Sequence, residues 1–364
     1  MTVTVLLGGD VMLGRGVDQL LPRSGHPRLQ EPCVRDARRY VELAEQANGP
    51  IPRPYGFARP WGEVLPILDE LAPGVRLVNL ETAITADGSF ADGKGVHYRM
   101  HPGNLPALAA VRPDACALSN NHSLDFGIGG LDDTLDALSG ANIRAVGAGA
   151  NLAAAQQPAT VPAPDGHRVL IASISTLSSG VPAGWAAGSD RPGIWLIHHP
   201  SAHHADEVAD LFSHWSRSGD VTIVSVHWGP NWGYGTGLSE RQFAHRLIDA
   251  GIDIVHGHSA HHPRPIEIYR GRPILYGCGD VVDDYEGIGG HESYRPELRL
   301  LYLVTLDPGG PAAVRMLPLR IRHIQLDRAG PADTQWLRSM LGEISRRFGT
   351  RISIGPDGLL TAHR

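Results

Sequence analysis

The stretches 221-VTIVSVHWG-229 and 252-IDIVHGHSAHH-262 decide how this chain is read. Each is a short Val/Ile-rich run of the kind that forms a buried strand, and each runs straight into histidine. Working outward, the same figure recurs three times upstream. VTVLLGG (3–9) runs into Asp10, VRLVNL (75–80) into Glu81, and DACALSN (114–120) into Asn121 and His122. Helix-length segments closed by glycine lie between the runs, as at GGLDDTLDALSGA (129–141) and at 238–250 before Gly251. Strands alternating with helices predict an α/β fold. In open α/β sheets, ligands gather beyond the carboxyl ends of the strands. Five strand ends that all carry oxygen or imidazole donors therefore predict a metal-centred site assembled from the whole chain.

Composition is that of an ordinary globular protein: 364 residues, 42% hydrophobic and 19% charged. The formal net charge of -6 offers no basic face for nucleic acid or an anionic membrane. Three widely spaced cysteines (Cys33, Cys116, Cys278) with no CxxC pair argue against a disulfide framework and a thiolate zinc site. Lys94 is the only lysine among 32 lysines and arginines, which reads as a bias of composition. No apolar run of about 18 residues occurs, and MTVTVLLGGD lacks the basic region of a signal peptide, so a cytoplasmic protein is expected. The polar, Pro-rich tract 22–62 is expected to form an insertion or lid around one helix at 33–47. Strands at 298–306 and 313–321 precede a last helix at 331–347. The expected division is a main unit over 1–325 and a C-terminal helix and tail over 326–364.

His258 and His261, three apart on a turn leaving a strand, suit one metal or two neighbouring ones. Strand alternation is expected to turn His256 away as a supporting or packed histidine, while His262 competes as a ligand. In Asn120-Asn121-His122-Ser123-Leu124-Asp125-Phe126-Gly127, an Asn beside a His at a strand end makes sense as ligand plus acid, the alternative being that Asn121 and Asp125 only cap a helix. Asp125 would either orient that acid, His122, or cap the following turn. Arg15 is a candidate for gripping a phosphate or carboxylate through its guanidinium fork. Trp228, Trp232 and Tyr234 either wall a substrate or pin their own loop. His198, His199, His203 and His204 have metal-like spacing but fall at a helix start, and read as a solvated face.

The ordered set Asp10-Val11-Met12-Leu13, Asn79-Leu80-Glu81-Thr82, Asn120-Asn121-His122 with Asp125 and Gly127, Val226-His227-Trp228-Gly229, and Gly257-His258 with His261 carries a family resemblance. It resembles the CapA family of poly-γ-glutamate (capsule) biosynthesis proteins, itself similar to the calcineurin-like metallophosphoesterases. The resemblance spans about residues 3–290. It implies a four-layer α-β-β-α sandwich of metallophosphoesterase type with a short C-terminal appendage. One or two divalent ions (manganese, iron or zinc) would sit at the strand ends.

Carried over motif by motif, Asp10 would match the first aspartate and Glu81 the bridging carboxylate. Asn121, His227 and His258 would hold one metal, His261 would serve the other, and His122 would be the acid beside the leaving group. Met12 stands where the phosphoesterases place a histidine, Glu81 where they place Asp, and Asp280 where Gly-Asn is usual. The first metal position is thereby one ligand short, so one metal, or two of unequal affinity, is expected. The implied activity is metal-dependent hydrolysis of a phosphoester or γ-glutamyl amide. The substrate would be a small molecule or short polymer bearing phosphate or carboxylate. γ-Glutamyl ligation or transfer, or a metal-stabilised scaffold without catalysis, is the alternative. Relatives at the capsule machinery carry a membrane anchor, and none is expected here.

Overall fold

The Val/Ile-rich runs form strands that are buried from end to end, as parallel strands covered on both faces must be. Val75–Leu80 and Val221–His227 are buried at every residue. They belong to different sheets of a mixed α/β fold, in a computed structural model that describes residues 2–163, 166–306 and 312–364. Among the described residues, the first sheet runs Arg351–Ile354, Leu360–His363, Ala313–Arg322, Leu298–Leu306, Val3–Val11, Val75–Leu80, Ala115–Ala117, Arg144–Val146. Val3–Val11 is its hinge, antiparallel to Leu298–Leu306 on one side and parallel to Val75–Leu80 on the other. The second sheet runs Leu196–Ile197, Arg168–Thr176, Val221–His227, Ile254–His258, Arg272–Leu275, Ile266–Tyr269.

Successive side chains on a strand point to opposite faces, so each sheet feeds two cores. Leu7, Leu77 and Ala117 of the first sheet pack with Ile171, Ile223 and Ile254 of the second. Their neighbours Leu6, Val78 and Leu118 pack instead with Val17, Leu68 and Leu131, residues that lie in the crossovers between the first-sheet strands. On the other flank, Ala172, Val224 and Val226 pack with Phe212, Phe243 and Leu247 of the helices Ala202–Trp215 and Leu238–Asp249. Among the described residues no helix is long and apolar enough to cross a membrane.

Two expectations change. The C-terminal segment is no appendage: Leu360–His363 pairs with Ala313–Arg322, and Arg351–Ile354 pairs with Leu360–His363. Leu337 and Leu341 of the helix Pro331–Ser345 are fully buried in the core between the sheets. The tract 22–62 is likewise packed. Its helix begins at Arg38, later than expected, and Val41, Ala44, Tyr55 and Trp61 join the core over the first sheet.

This packing predicts that Leu341→Ala costs about 2–5 kcal/mol, as buried Leu truncations do. The loss should appear in equilibrium urea unfolding as one transition, shared by the whole chain. A separate early transition, with the rest of the curve unmoved, would restore the appendage.

Candidate metal centre

Val3–Val11 pairs in addition with a short parallel strand, Asp280–Val282, and the two come together through glycine. A Cβ on Gly9 would lie 1.8 Å from the Gly279 carbonyl oxygen, so only glycine permits the approach. Asp10 N then donates to Gly279 O at 3.0 Å, and Asp10 stands in parallel register with Asp280. On its other side Asp10 registers with Asn79. In the second sheet His227 and His258 are partners across parallel strands. The next residue, Ser259, has φ of +100°, a left-handed conformation rare outside glycine. That turn brings Ser259 N to Asp10 Oδ2 at 3.3 Å and carries the chain on to His261. The carboxyl ends of both sheets thus meet at Asp10.

Two groups of donors can each hold a cation, and Asp10 is common to both. Asp10, His227 and His258 form one; Asp10, His261 and Asp280 form the other, with ligand atoms in each within 4.8 Å of one another. Asn121 Oδ1 adjoins the first group, 2.9 Å from His227 Nε2. His227 Nδ1 and His258 Nδ1 face each other at 2.8 Å. His258 Nε2 is fixed by Ser225 Oγ at 2.8 Å. The same hydroxyl lies 3.0 Å from His256 Nδ1. His256 therefore does not turn away: residues two apart on a strand share a face. In the second group His261 Nδ1 meets Asp280 Oδ1 at 2.9 Å, and Asp280 Oδ2 finds no nitrogen or hydroxyl donor among the described residues, with the Asp283 carboxyl lying against the same carboxylate.

Glu81 enters neither group. Asn79 Nδ2 ties it to the centre, donating to Asp10 Oδ1 at 2.7 Å and to Glu81 Oε2 at 3.1 Å. Asp10 is the residue common to both groups, and Glu81, expected as the bridging carboxylate, lies directly against it.

Burial pushes the Asp10 carboxyl up to about 7, with Asp280 beside it adding to the shift. Burial and Asp10 push Glu81 well above the ordinary range. Burial drives His227 and His258 well below theirs, so their imidazoles are neutral, each with one ring nitrogen lone pair that a cation could use. His261 behaves oppositely: burial opposes its charge, but Asp280 and Asp10 raise it overall. Crowded carboxylates, neutral imidazoles and a buried carboxylate oxygen without a nitrogen or hydroxyl donor fit a divalent cation.

His122 stands beside this centre. Its Nδ1 meets Asp125 Oδ2 at 2.6 Å and its Nε2 lies 3.7 Å from Glu81 Oε1. Asp125 is fully occupied, accepting from Tyr98 N at 2.7 Å and from Lys94 Nζ at 2.6 Å. The helix that starts at Gly127 has no side-chain cap, so Asp125 orients His122 and does not cap the turn. Burial lowers His122 to about 4 against the pull of Asp125.

Lys94, the chain's only lysine, also donates to the Asn121 carbonyl and lies 4.9 Å above the Trp185 ring. Sequence reading passed it over as composition, although its rarity was itself the signal. Asp280 was noticed only as a departure from the family's Gly-Asn and not as a donor, because it begins a strand instead of ending one.

Arg15 cannot grip a ligand. Its fork is filled by Asp284 and Glu31, and Tyr40 lies 3.6 Å beneath the guanidinium. Trp228 is buried, stacked on Tyr276, and pins its loop. Trp232 borders a cavity next to His261. His262 accepts from Gly233 N at 3.0 Å and belongs to that loop's support. His198, His199 and His203 are exposed, and their cluster forms no metal-capable group among the described residues.

With this geometry in hand, the comparisons are specific. The family model described as bacterial capsule synthesis protein PGA_cap matches residues 4–285. Probable polyglutamine synthesis accessory proteins from two strains of Mycobacterium tuberculosis are 61% identical over 361 residues, 98% of this chain and 95% of theirs. The PGA biosynthesis protein CapA of Bacillus subtilis is 28% identical over 277 residues, 76% of this chain and 62% of that protein. A solved structure from Thermus thermophilus aligns with 84% of this chain and 99% of its own at 10% identity and a TM-score of 0.39, too loose a likeness to argue from.

Cation binding must displace protons from Asp10, held up to about 7, and from the raised His261. Affinity for Mn²⁺ should therefore rise with pH through about 7, with more protons released at acid pH than at alkaline pH. Calorimetric titration in buffers of different ionisation enthalpy measures both. Affinity that is flat across this range, with no proton release, would contradict the assignment.

Proposed function

This chain belongs to the bacterial capsule synthesis protein PGA_cap family, and on that footing we propose that it is a metal-dependent hydrolase of a glutamyl amide bond in a polymer or its fragments. The observation that carries the reading is Asp10, shared by two buried donor groups, with His122 Nε2 facing the same cluster at Glu81. The substrate class is suggested by the relatives named for polyglutamine synthesis and PGA biosynthesis. Three cores separating two sheets and their covering helices support a four-layer α-β-β-α sandwich of metallophosphoesterase type.

Asn121, His227 and His258 would hold one cation, His261 and Asp280 the other, and Asp10 both. Cations there would polarise the scissile carbonyl and lower the proton affinity of an attacking water. Asp125 holds the Nδ1 proton of His122 and leaves Nε2 facing the cluster. Burial keeps that imidazole neutral at rest. The proton it delivers is therefore one that the attacking water gives up during the reaction, passed through Nε2 to the departing amide nitrogen. Lys94 neutralises Asp125 and fixes the Asn121 backbone, so ligand and acid keep their relative positions.

The test is metal content and turnover on one preparation, against poly-γ-glutamate, γ-glutamyl amides and a phosphoester panel. His122→Ala should keep its metal and lose about 10²–10⁴-fold in rate. The loss should be smallest with a γ-glutamyl p-nitroanilide, whose leaving group needs little protonation. Loss of metal would make His122 a ligand, and unchanged turnover of an unactivated amide would end its role. Fully metal-loaded wild type that turns over none of these substrates would favour a scaffold.

A further inference from the structure

Tyr98 sets its ring against His122, 4.5 Å between centroids, but the residues on either side of it face elsewhere. His97 and Arg99 line a separate, narrow cleft with Phe90 and Phe126, where the tract 22–62 contributes Arg28. Its volume is about 10 Å³, room for one oxygen-sized atom. The walls are fixed: His97 donates from Nε2 to the Ala91 carbonyl at 2.8 Å and stands edge-on to Phe90 at 5.1 Å. Arg15 also borders the cleft, but its fork is spent on Asp284 and Glu31. Arg99, by contrast, lies over Phe126 at 4.5 Å and Phe90 at 5.6 Å, and among the described residues nothing accepts a hydrogen bond from its guanidinium. Burial works against its charge, opposed only by Asp18 and Asp87. Asp18 is occupied by Gly25 N, His101 N and Asn104 Nδ2, and Asp87 is exposed. Among the described residues no carboxylate lines the cleft. The Arg28 guanidinium, exposed at its edge, likewise has no partner among them.

We propose that this cleft is an anion-binding site, separate from the metal centre, that takes a terminal carboxylate or phosphate on Arg99 with Arg28 as the second cation. A half-buried cation whose donors meet no acceptor is costly, and an oxyanion removes that cost. One oxygen fills the cleft and a second stays at its mouth, so that the pair spans the planar fork of Arg99. The phenyl rings on either side hold the guanidinium in place and keep water from screening the contact. The volume admits only the end of a ligand. Once bound, the anion ties Arg28 to the loop of Phe90 and His97, which also carries Lys94, the partner of Asp125.

Calorimetric titration of methyl phosphate and of propionate into the full-length protein, before and after chelation, tests this. At least one probe should bind saturably, one per chain, and keep binding after chelation, since the metal centre takes no part. The tighter probe names the group: methyl phosphate a phosphate ester, propionate a carboxylic acid. Arg99→Gln should weaken that binding at least about tenfold, the scale of lost charge-assisted hydrogen bonds, with Mn²⁺ uptake unchanged. Arg99→Lys, which keeps the charge without the fork, should recover only part of it. Arg28→Gln, at an exposed position where folding is not at stake, should weaken it roughly twofold to fivefold. Binding of neither probe by wild type, binding that vanishes on chelation, or binding unmoved by a folded Arg99→Gln would overturn the proposal. Should that variant fail to fold, Arg28→Gln decides alone.

Discussion

Everything in this molecule turns on the crowding of three buried carboxylates, Asp10, Glu81 and Asp280. Like charges so placed cannot all ionise without compensation. Burial accordingly holds Asp10 near neutrality and Glu81 above its ordinary range, while His261 holds Asp280 ionised. The backbone enforces the crowding, since the Gly9–Gly279 contact puts Asp10 and Asp280 side by side. A fold that merely needed stability would replace such a cluster with apolar groups. Its presence, with neutral His227 and His258 opposite, makes sense when cations supply the missing charge.

The site was legible where structure leaves a local trace. A donor at the carboxyl end of a buried strand writes itself as an apolar run followed by that donor, and Asp10, Glu81, Asn121, His227 and His258 were all read that way. The structure brings them together with His122 and His261. Asp280 left no such trace because its strand follows it. The side on which His256 points was misjudged by one step of a two-residue period, while its supporting place, sharing the Ser225 hydroxyl with His258, was read correctly. Arg15 looked free because its partners, Asp284 and Glu31, lie 269 and 16 residues away, and no local pattern announces them. The same limit hid the C-terminal strands: Leu360–His363 is four residues long and gains its place by pairing with Ala313–Arg322.

That last point alters the picture of the family domain. The family match ends at residue 285, yet Leu298–Leu306 flanks the first strand and Leu341 fills the core between the sheets. Residues beyond the match therefore complete the sheet that presents Asp10. Arg299 joins this region to the centre through Asp283, beside Asp280. Loops supply the rest of the surroundings. Lys94 comes from the Gly- and Asp-rich loop after the second strand, and Trp232 from the loop after His227, each set against a rigid strand-end donor.

The central claim is that Asp10 is shared by two cation positions. A crystal of the protein soaked in Mn²⁺ and measured at the manganese absorption edge tests it most directly. The account predicts two anomalous peaks flanking the Asp10 carboxylate, one against His227, His258 and Asn121, the other against His261 and Asp280. A single peak held by Glu81 and away from Asp10, or manganese found only at surface sites, would contradict it.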